Sequence, residues 1–217
     1  SRRTVTRTVA PAGEKDRVLR ALVANVERQD GHLDTGILGA KYLFRALTEG
    51  GRVDVAYRIA TQTTFPSYGD WLQKGATTLW EDWAGGASLN HIMFGDISAW
   101  FYEALAGITP DPEHPGFRHF VINPHAVADL TWVKAEHGSP YGTIRSAWRL
   151  ESRRLTLQVT VPPSTTATIR VPATDPASVT EGGEPAAGRP GVEKVSVDGD
   201  RAVVDVGSGQ YEFVSEW

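Results

Sequence analysis

The sequence predicts an α+β chain, a helical first part followed by an antiparallel β-sandwich. Three observations predict it. Up to residue 108, apolar residues recur at spacings of three and four, the period of a helix with one buried face. Beyond Thr109 the period falls to two, in segments of four to eight residues separated by Gly, Pro, Asn and Asp. Hydrophobic residues make up 41% and charged residues 22% of the 217, a balance that supports a packed core and excludes global disorder.

The elements follow in order. Residues 1–13 read as a solvated leading segment that carries Arg2, Arg3 and Arg7. Residues 14–27 predict a helix with Val18, Leu19, Leu22, Val23 and Val26 on one stripe, Glu14 and Asp16 suiting its N-terminal dipole, and Asp30-Gly31 ending it. Asp34 and Thr35 are candidate caps for a second helix over residues 37–47, whose expected buried face is Leu38, Tyr42, Leu43, Ala46 and Leu47. Gly50-Gly51 closes that helix, and a third covers residues 53–61 with Val55, Ala56 and Ile59 inward. Residues 65–87 form a long irregular segment holding Trp71, Trp80 and Trp83; loops of that length inside a helical domain are usually functional. Ser88 reads as the N-cap of a deeply buried helix over residues 88–108, lined by Leu89, Ile92, Met93, Ile97, Trp100, Phe101, Ala104 and Leu105.

Eight strands are expected after that, over residues 117–122, 130–136, 142–149, 155–161, 165–171, 192–197, 201–206 and 211–214. Asp198-Gly199-Asp200 is the strongest hairpin signal. The expected organisation is therefore residues 1–13, a helical segment over 14–110, and a β-sandwich domain over 111–217.

Composition narrows the function classes. The formal charge is −4 and the pI about 5.9, opposite in sign to a nucleic-acid wrapper. No apolar run approaches the roughly 18–20 residues of a membrane span. With Cys 0, disulfides, thiolate nucleophiles and cysteine metal sites are excluded. His114, His119, His125 and His137 show no zinc-site spacing, and no phosphate loop or dinucleotide fingerprint occurs. No metal or cofactor is expected. Compartment is left open.

Chemistry concentrates in residues 71–91. Glu81 lies between Trp80 and Trp83 at the edge of an apolar run. A carboxylate against indole faces is partly desolvated, which makes it a better base near neutral pH. Trp83, like the other tryptophans, reads either as a large core residue or as a flat apolar face of the kind that suits a sugar ring. His91 suits a hydroxyl partner or a helix cap equally.

The pieces Gly31-His32-Leu33-Asp34-Thr35-Gly36-Ile37-Leu38-Gly39, Thr64-Phe65-Pro66-Ser67-Tyr68-Gly69, Gly75-Ala76-Thr77-Thr78-Leu79-Trp80-Glu81-Asp82-Trp83 and Ser88-Leu89-Asn90-His91-Ile92-Met93-Phe94-Gly95 resemble, in that order, the bacterial α-L-rhamnosidases of glycoside hydrolase family 78. Val179-Thr180-Glu181-Gly182-Gly183-Glu184-Pro185 is similar to a segment of that family's C-terminal β domain. The resemblance implies the C-terminal portion of an (α/α)6 barrel followed by an antiparallel β-sandwich. It implies inverting hydrolysis of terminal α-L-rhamnose from a rhamnoside or rhamnose-containing glycan. Glu81 matches the family's general base, and His91 a residue that contacts the bound sugar. Adjacent Asp82 is expected to point elsewhere. The linker Ala84-Gly85-Gly86-Ala87 is shorter than in many members, so contacts made by a longer loop have no counterpart here.

The family's general acid sits in an upstream acidic, Arg-rich motif with no match here, and the readable helices fall far short of six pairs. The expectation is a C-terminal segment that carries the base but not the acid, is inactive alone, pairs with the N-terminal part of the parent enzyme, and self-associates through exposed apolar helix faces. Two other readings stay open: a non-catalytic carbohydrate-binding or structural β-sandwich module, and a segment of another α-toroid glycosidase or lyase.

Overall fold

The computed structural model describes residues 13–127 and 129–217. The leading segment, apart from Gly13, lies outside the described residues. Two compact units divide between Trp100 and Phe101.

The helical unit holds α1 (Lys15–Arg28), α2 (Ile37–Glu49), α3 (Val53–Ala60), α4 (Tyr68–Gln73) and α5 (Asp96–Trp100). On α1 the innermost residues are Val23 and Val26. α3 buries Val53, Val55, Ala56 and Ile59 and packs on α2. Gly51 takes φ +72° in the turn between these helices, a conformation that glycine adopts without strain.

Three local expectations are corrected. The buried face of α2 is Ala40, Leu43, Phe44 and Leu47, while Leu38 is 71% and Tyr42 63% exposed. The face is turned this way because Phe44 packs on Trp100 with ring centroids 5.2 Å apart, and the Trp100 indole N–H donates to Thr48 Oγ1 at 2.8 Å. The N-cap of α2 is Gly36, with no side-chain cap bond; Asp34 Oδ2 instead accepts from Asn25 at 3.5 Å. The helix expected over residues 88–108 forms only in part: after a short 3-10 turn the chain is helical from Asp96 to Leu105, first α and then π, with Ile97, Trp100, Ala104 and Leu105 buried as expected. Glu81 N donates to Ser88 O and His91 N to Leu79 O, and His91 is held extended at φ −140°, ψ 124°, so the helix does not start at Ser88. The chain makes a 3-10 turn at Ile92–Phe94 and then α5. Ile92, expected inside, is 84% exposed.

The β unit opens with a π-helical turn, Phe101–Leu105. Its strands are β1 (Ile108–Pro110), β2 (His119–Ile122), β3 (Trp132–Ser139), β4 (Gly142–Glu151), β5 (Arg154–Val161), β6 (Thr166–Pro172), β7 (Thr180–Glu181), β8 (Glu184–Pro185), β9 (Val192–Asp198), β10 (Arg201–Val206) and β11 (Gly209–Glu216). One sheet has the order β1-β2-β6-β10-β9 and the other β3-β4-β5-β11-β7-β8. All pairings are antiparallel except β2 with β6. Ile108–Pro110, grouped with the helices by the sequence pattern, pair with β2. The expected hairpin is present: Asp198 pairs with Arg201, and Gly199 takes φ +61°.

Strict alternation builds the core. Along β10 every second residue, Ala202, Val204 and Val206, is buried; along β5 Leu155, Leu157, Val159 and Val161 are. These residues pack with Phe120, Ile169, Ile144, Trp148 and Phe213 into one cluster. Two polar groups within it are bonded to the backbone: Trp148 Nε1 donates to Leu105 O at 2.7 Å and Ser146 Oγ to Ala106 O at 2.7 Å. Among the described residues no helix is long and apolar enough to cross a membrane, and no group of three or more His, Cys, Asp or Glu could hold a metal ion.

Candidate active site

The site is built on a hairpin-like fold of residues 78–91 in the helical unit. Glu81 N donates to Ser88 O at 2.9 Å and His91 N to Leu79 O at 2.8 Å. Thr78 Oγ1 donates to Leu89 O. One arm thus carries Glu81 and the facing arm carries His91.

Asp82 makes the bend. Its Oδ1 accepts from Gly85 N at 2.8 Å and Gly86 N at 3.2 Å. These backbone donors, Gly86 first, hold its carboxyl below the usual carboxylate range. Gly85 takes φ +76°, and a Cβ there would meet the Trp80 ring at 2.8 Å. The neighbouring carboxylates therefore have different tasks. Asp82 is turned into the bend, as expected of adjacent loop side chains. Glu81 Oε2 accepts from Ser88 N at 3.3 Å, and Oε1 has no partner among the described residues. An ionised carboxylate is an acceptor only, so the unengaged oxygen is the one able to take a proton.

The hairpin stands on an aromatic cluster. Trp71 is buried, and its ring lies 4.6 Å from Trp83, 5.6 Å from Trp80 and 5.4 Å from Phe94, centroid to centroid. Tyr68 meets Trp71, Trp83 and Phe94 edge-on, the arrangement that aligns ring edge with ring face. Tyr68 Oη donates to Phe94 O at 3.0 Å, and burial, with Asp96 nearby, pushes its hydroxyl pKa up. α4 presents Tyr68 and Trp71, and it starts where Ser67 Oγ accepts from Asp70 N at 3.0 Å.

Trp83 has both packing and polar ties: its ring sits 4.3 Å from Phe94, and its indole N–H donates to Thr35 O at 2.8 Å. Trp71 Nε1 donates to Trp83 O at 3.0 Å. Trp83 is half-buried. Thr35, expected as a cap, instead anchors Trp83 through its carbonyl, and its buried hydroxyl has no partner among the described residues.

His91 is the N-cap of the Ile92–Phe94 turn, with Nδ1 accepting from Met93 N at 3.3 Å. The bond assigns the proton of the neutral ring to Nε2. Nε2, unpartnered among the described residues, is left as a donor, so capping and hydroxyl recognition are compatible in one side chain.

The sequence reading missed Tyr68, Phe94 and the Ser88 amide. Ser67 with Asp70 three residues on was the signal for α4. Nothing local marks Ser88 as the partner of Glu81.

The comparisons bear on the same residues. Residues 5–105 match the bacterial alpha-L-rhamnosidase 6 hairpin glycosidase domain and residues 107–185 the bacterial alpha-L-rhamnosidase C-terminal domain. A Streptomyces avermitilis protein named alpha-L-rhamnosidase is 35% identical over 97% of this chain and 20% of its own length. A Formosa agariphila protein of the same name is 31% identical over 94% of this chain and 23% of its own. Among solved structures, the Streptomyces avermitilis alpha-L-rhamnosidase complexed with L-rhamnose has TM-score 0.86 and 34% identity, over 95% of this chain and 20% of that one. The alpha-L-rhamnosidase from Dictyoglumus thermophilum has TM-score 0.85 and 33% identity, over 96% of this chain and 24% of that one. The chain thus spans about a fifth to a quarter of the length of these relatives. With one family matching on both sides of residue 106 and relatives of one name along nearly the whole chain, the chain belongs to the bacterial α-L-rhamnosidases, as their C-terminal portion.

Proposed function

We propose that this chain supplies the general base and part of the sugar-binding wall of an enzyme that removes terminal α-L-rhamnose by inverting hydrolysis. In such a reaction one carboxylic acid protonates the leaving oxygen. A carboxylate roughly 6.5–9.5 Å away, across the sugar ring, activates water. Glu81 is the base in this reading. Its Oε2 rests on the Ser88 amide, which fixes the carboxylate plane, while Oε1 takes the proton of the attacking water. His91 Nε2–H donates to a sugar hydroxyl, and the half-buried Trp83 supplies apolar area to the wall that holds the sugar. The general acid comes from a part of the enzyme outside these residues, so the chain alone does not turn over an aryl α-L-rhamnoside at an enzymatic rate.

One observation carries the reading: Glu81 and His91 stand on facing arms of one hairpin, within the residues that match the hairpin glycosidase domain. The relative complexed with L-rhamnose shares the fold there, which supports a rhamnoside as substrate. The test is Glu81→Gln in the full-length enzyme. It keeps the shape and loses the basicity, and it is expected to lower kcat by roughly 10²–10⁴ with KM little changed. Azide added to a Glu81→Gly variant is expected to restore turnover and give the β-rhamnosyl azide. Near-full activity of Glu81→Gln together with loss in Asp82→Asn would assign the base to the neighbouring carboxylate instead.

A further inference from the structure

The outer face of the six-stranded sheet holds features that the hydrolytic reading does not use. Side chains there alternate outward along each strand. On β3 the outward residues are Trp132, Lys134 and Glu136, while Val133 and Ala135 pack against the core. The register sets these residues in rows across the sheet. Lys134 stands opposite Ala147, which stands opposite Gln158, which stands opposite Glu212. Glu136 stands opposite Arg145, then Thr160, then Gln210. Ala147, the small residue among long neighbours, forms the floor of a hollow of about 400 Å³ lined by Lys134, Arg145, Gln158, Thr160 and Glu212. A second hollow of about 470 Å³ adjoins it through Thr160 and Gln210 and reaches Pro162 and Pro163. Together they form one elongated trough, with volume in the range of small-ligand sites, roughly 300–1,000 Å³.

The chemistry of the trough selects its occupant. Its charges match in number: Arg145 Nε lies 3.0 Å from Glu136 Oε1, the lining Glu181 is paired with Arg189 at 3.2 Å, and Lys134 and Glu212 carry opposite charges at the two ends of one row. Gln158 Nε2 donates to Glu212 Oε2 at 2.8 Å. A balanced face gives no purchase to polyphosphate or an anionic lipid surface. It does present amide, hydroxyl, carboxylate and guanidinium groups, donors and acceptors side by side, which is what a neutral polyhydroxylated chain pairs with. Two residues before Lys134 on the same face of β3, next to the lining but outside it, Trp132 is 61% exposed. A large indole left in water is unusual for a packing residue, and its flat face offers apolar area to the C–H face of a sugar ring. We propose that this trough is a glycan-binding site for a neutral, extended oligosaccharide, separate from the Glu81 hairpin. It rests on the sheet face and not on the assignment of Glu81, so each reading can fail without the other.

The test titrates the 217-residue chain with a neutral, unbranched tetrasaccharide ending in α-L-rhamnose, and with tetragalacturonate in parallel. Binding is followed by the NMR signals of the Trp132 indole N–H and the Gln158 side-chain amide. The neutral tetrasaccharide is expected to shift both signals. Trp132→Ala and Gln158→Ala, both surface substitutions, are each expected to weaken binding tenfold or more, and Glu81→Gln to leave the shifts unchanged. The proposal is overturned if neither signal moves at millimolar tetrasaccharide, if only tetragalacturonate moves them, or if both variants bind as the parent chain does.

Discussion

Replacing His125 with glutamine is expected to remove an acid lability of the β unit. His125 follows β2, its backbone N–H donates to Ala104 O at 3.0 Å, and its ring faces Arg201. The Arg201 guanidinium donates to Pro124 O at 2.8 Å and approaches His125 Nδ1 at 3.5 Å. Burial first, then the positive charges of Arg201 and Arg170, partly offset by Asp200, depress the imidazole pKa from 6.5 to about 4. The folded state therefore holds His125 neutral where the unfolded chain is protonated, and the unfolded state binds more protons between those values. The stability is fully present above pH 6.5 and is lost as the pH falls toward 4. A difference of about 2.5 in pKa corresponds to about 3 kcal/mol in total at ~1.36 kcal/mol per pKa unit, of which about 2 kcal/mol is lost between pH 7 and 5. Carboxyls held below their usual range, such as Asp111 beside His114, lose their contribution only at lower pH, and the other histidines are common to both proteins, so the difference between the parent and His125→Gln reports this one group. Urea unfolding of the parent chain and of His125→Gln, followed by the β-sheet circular dichroism signal, measures the difference. A direct NMR titration of the His125 ring gives the folded pKa. Equal pH slopes in the two proteins, or a ring that titrates above pH 6, would refute the account.

Other outcomes follow from the site. In the full-length enzyme His91→Ala is expected to raise KM roughly tenfold with a smaller change in kcat, because the hydrogen bond it removes is made in ground and transition states alike; steady-state kinetics on an aryl rhamnoside checks it. Gly85→Ala is expected to destabilise the hairpin by about 1–3 kcal/mol, since it combines a positive φ with a Cβ at 2.8 Å from the Trp80 ring; faster hydrogen exchange at the Glu81 and His91 amides is the readout. Leu38, Tyr42, Leu72 and Ile92 leave apolar area open on the helical unit, and patches beyond a few hundred Å² mark interfaces. The isolated chain is therefore expected to self-associate in sedimentation and to bind a hydrophobic dye, and a dye-free monomer would contradict this.

The strand pattern was legible because burial in a sandwich is strictly periodic. Leu155, Leu157 and Val159 announce their face by alternation alone, and the Asp198-Gly199-Asp200 turn is specified locally by a glycine at positive φ. The candidate site was marked by a different signal, local composition and a family motif: Glu81 stands among tryptophans in the sequence. Hydrophobicity could not tell which apolar helix residues find a partner. Leu38 and Leu43 look alike in sequence, and only Trp100, far along the chain, turns Leu43 inward beside Phe44. Residues 88–91 carry helix signals, but pairing with Leu79 and Glu81 holds them along the facing arm, with His91 extended. Short strands such as Thr180–Glu181 are too brief to show a period and exist because β11 offers an edge. Local chemistry and period come from the order of residues; choice among competing backbone partners and faces is a long-range energy, decided only when the folded chain brings those partners within reach.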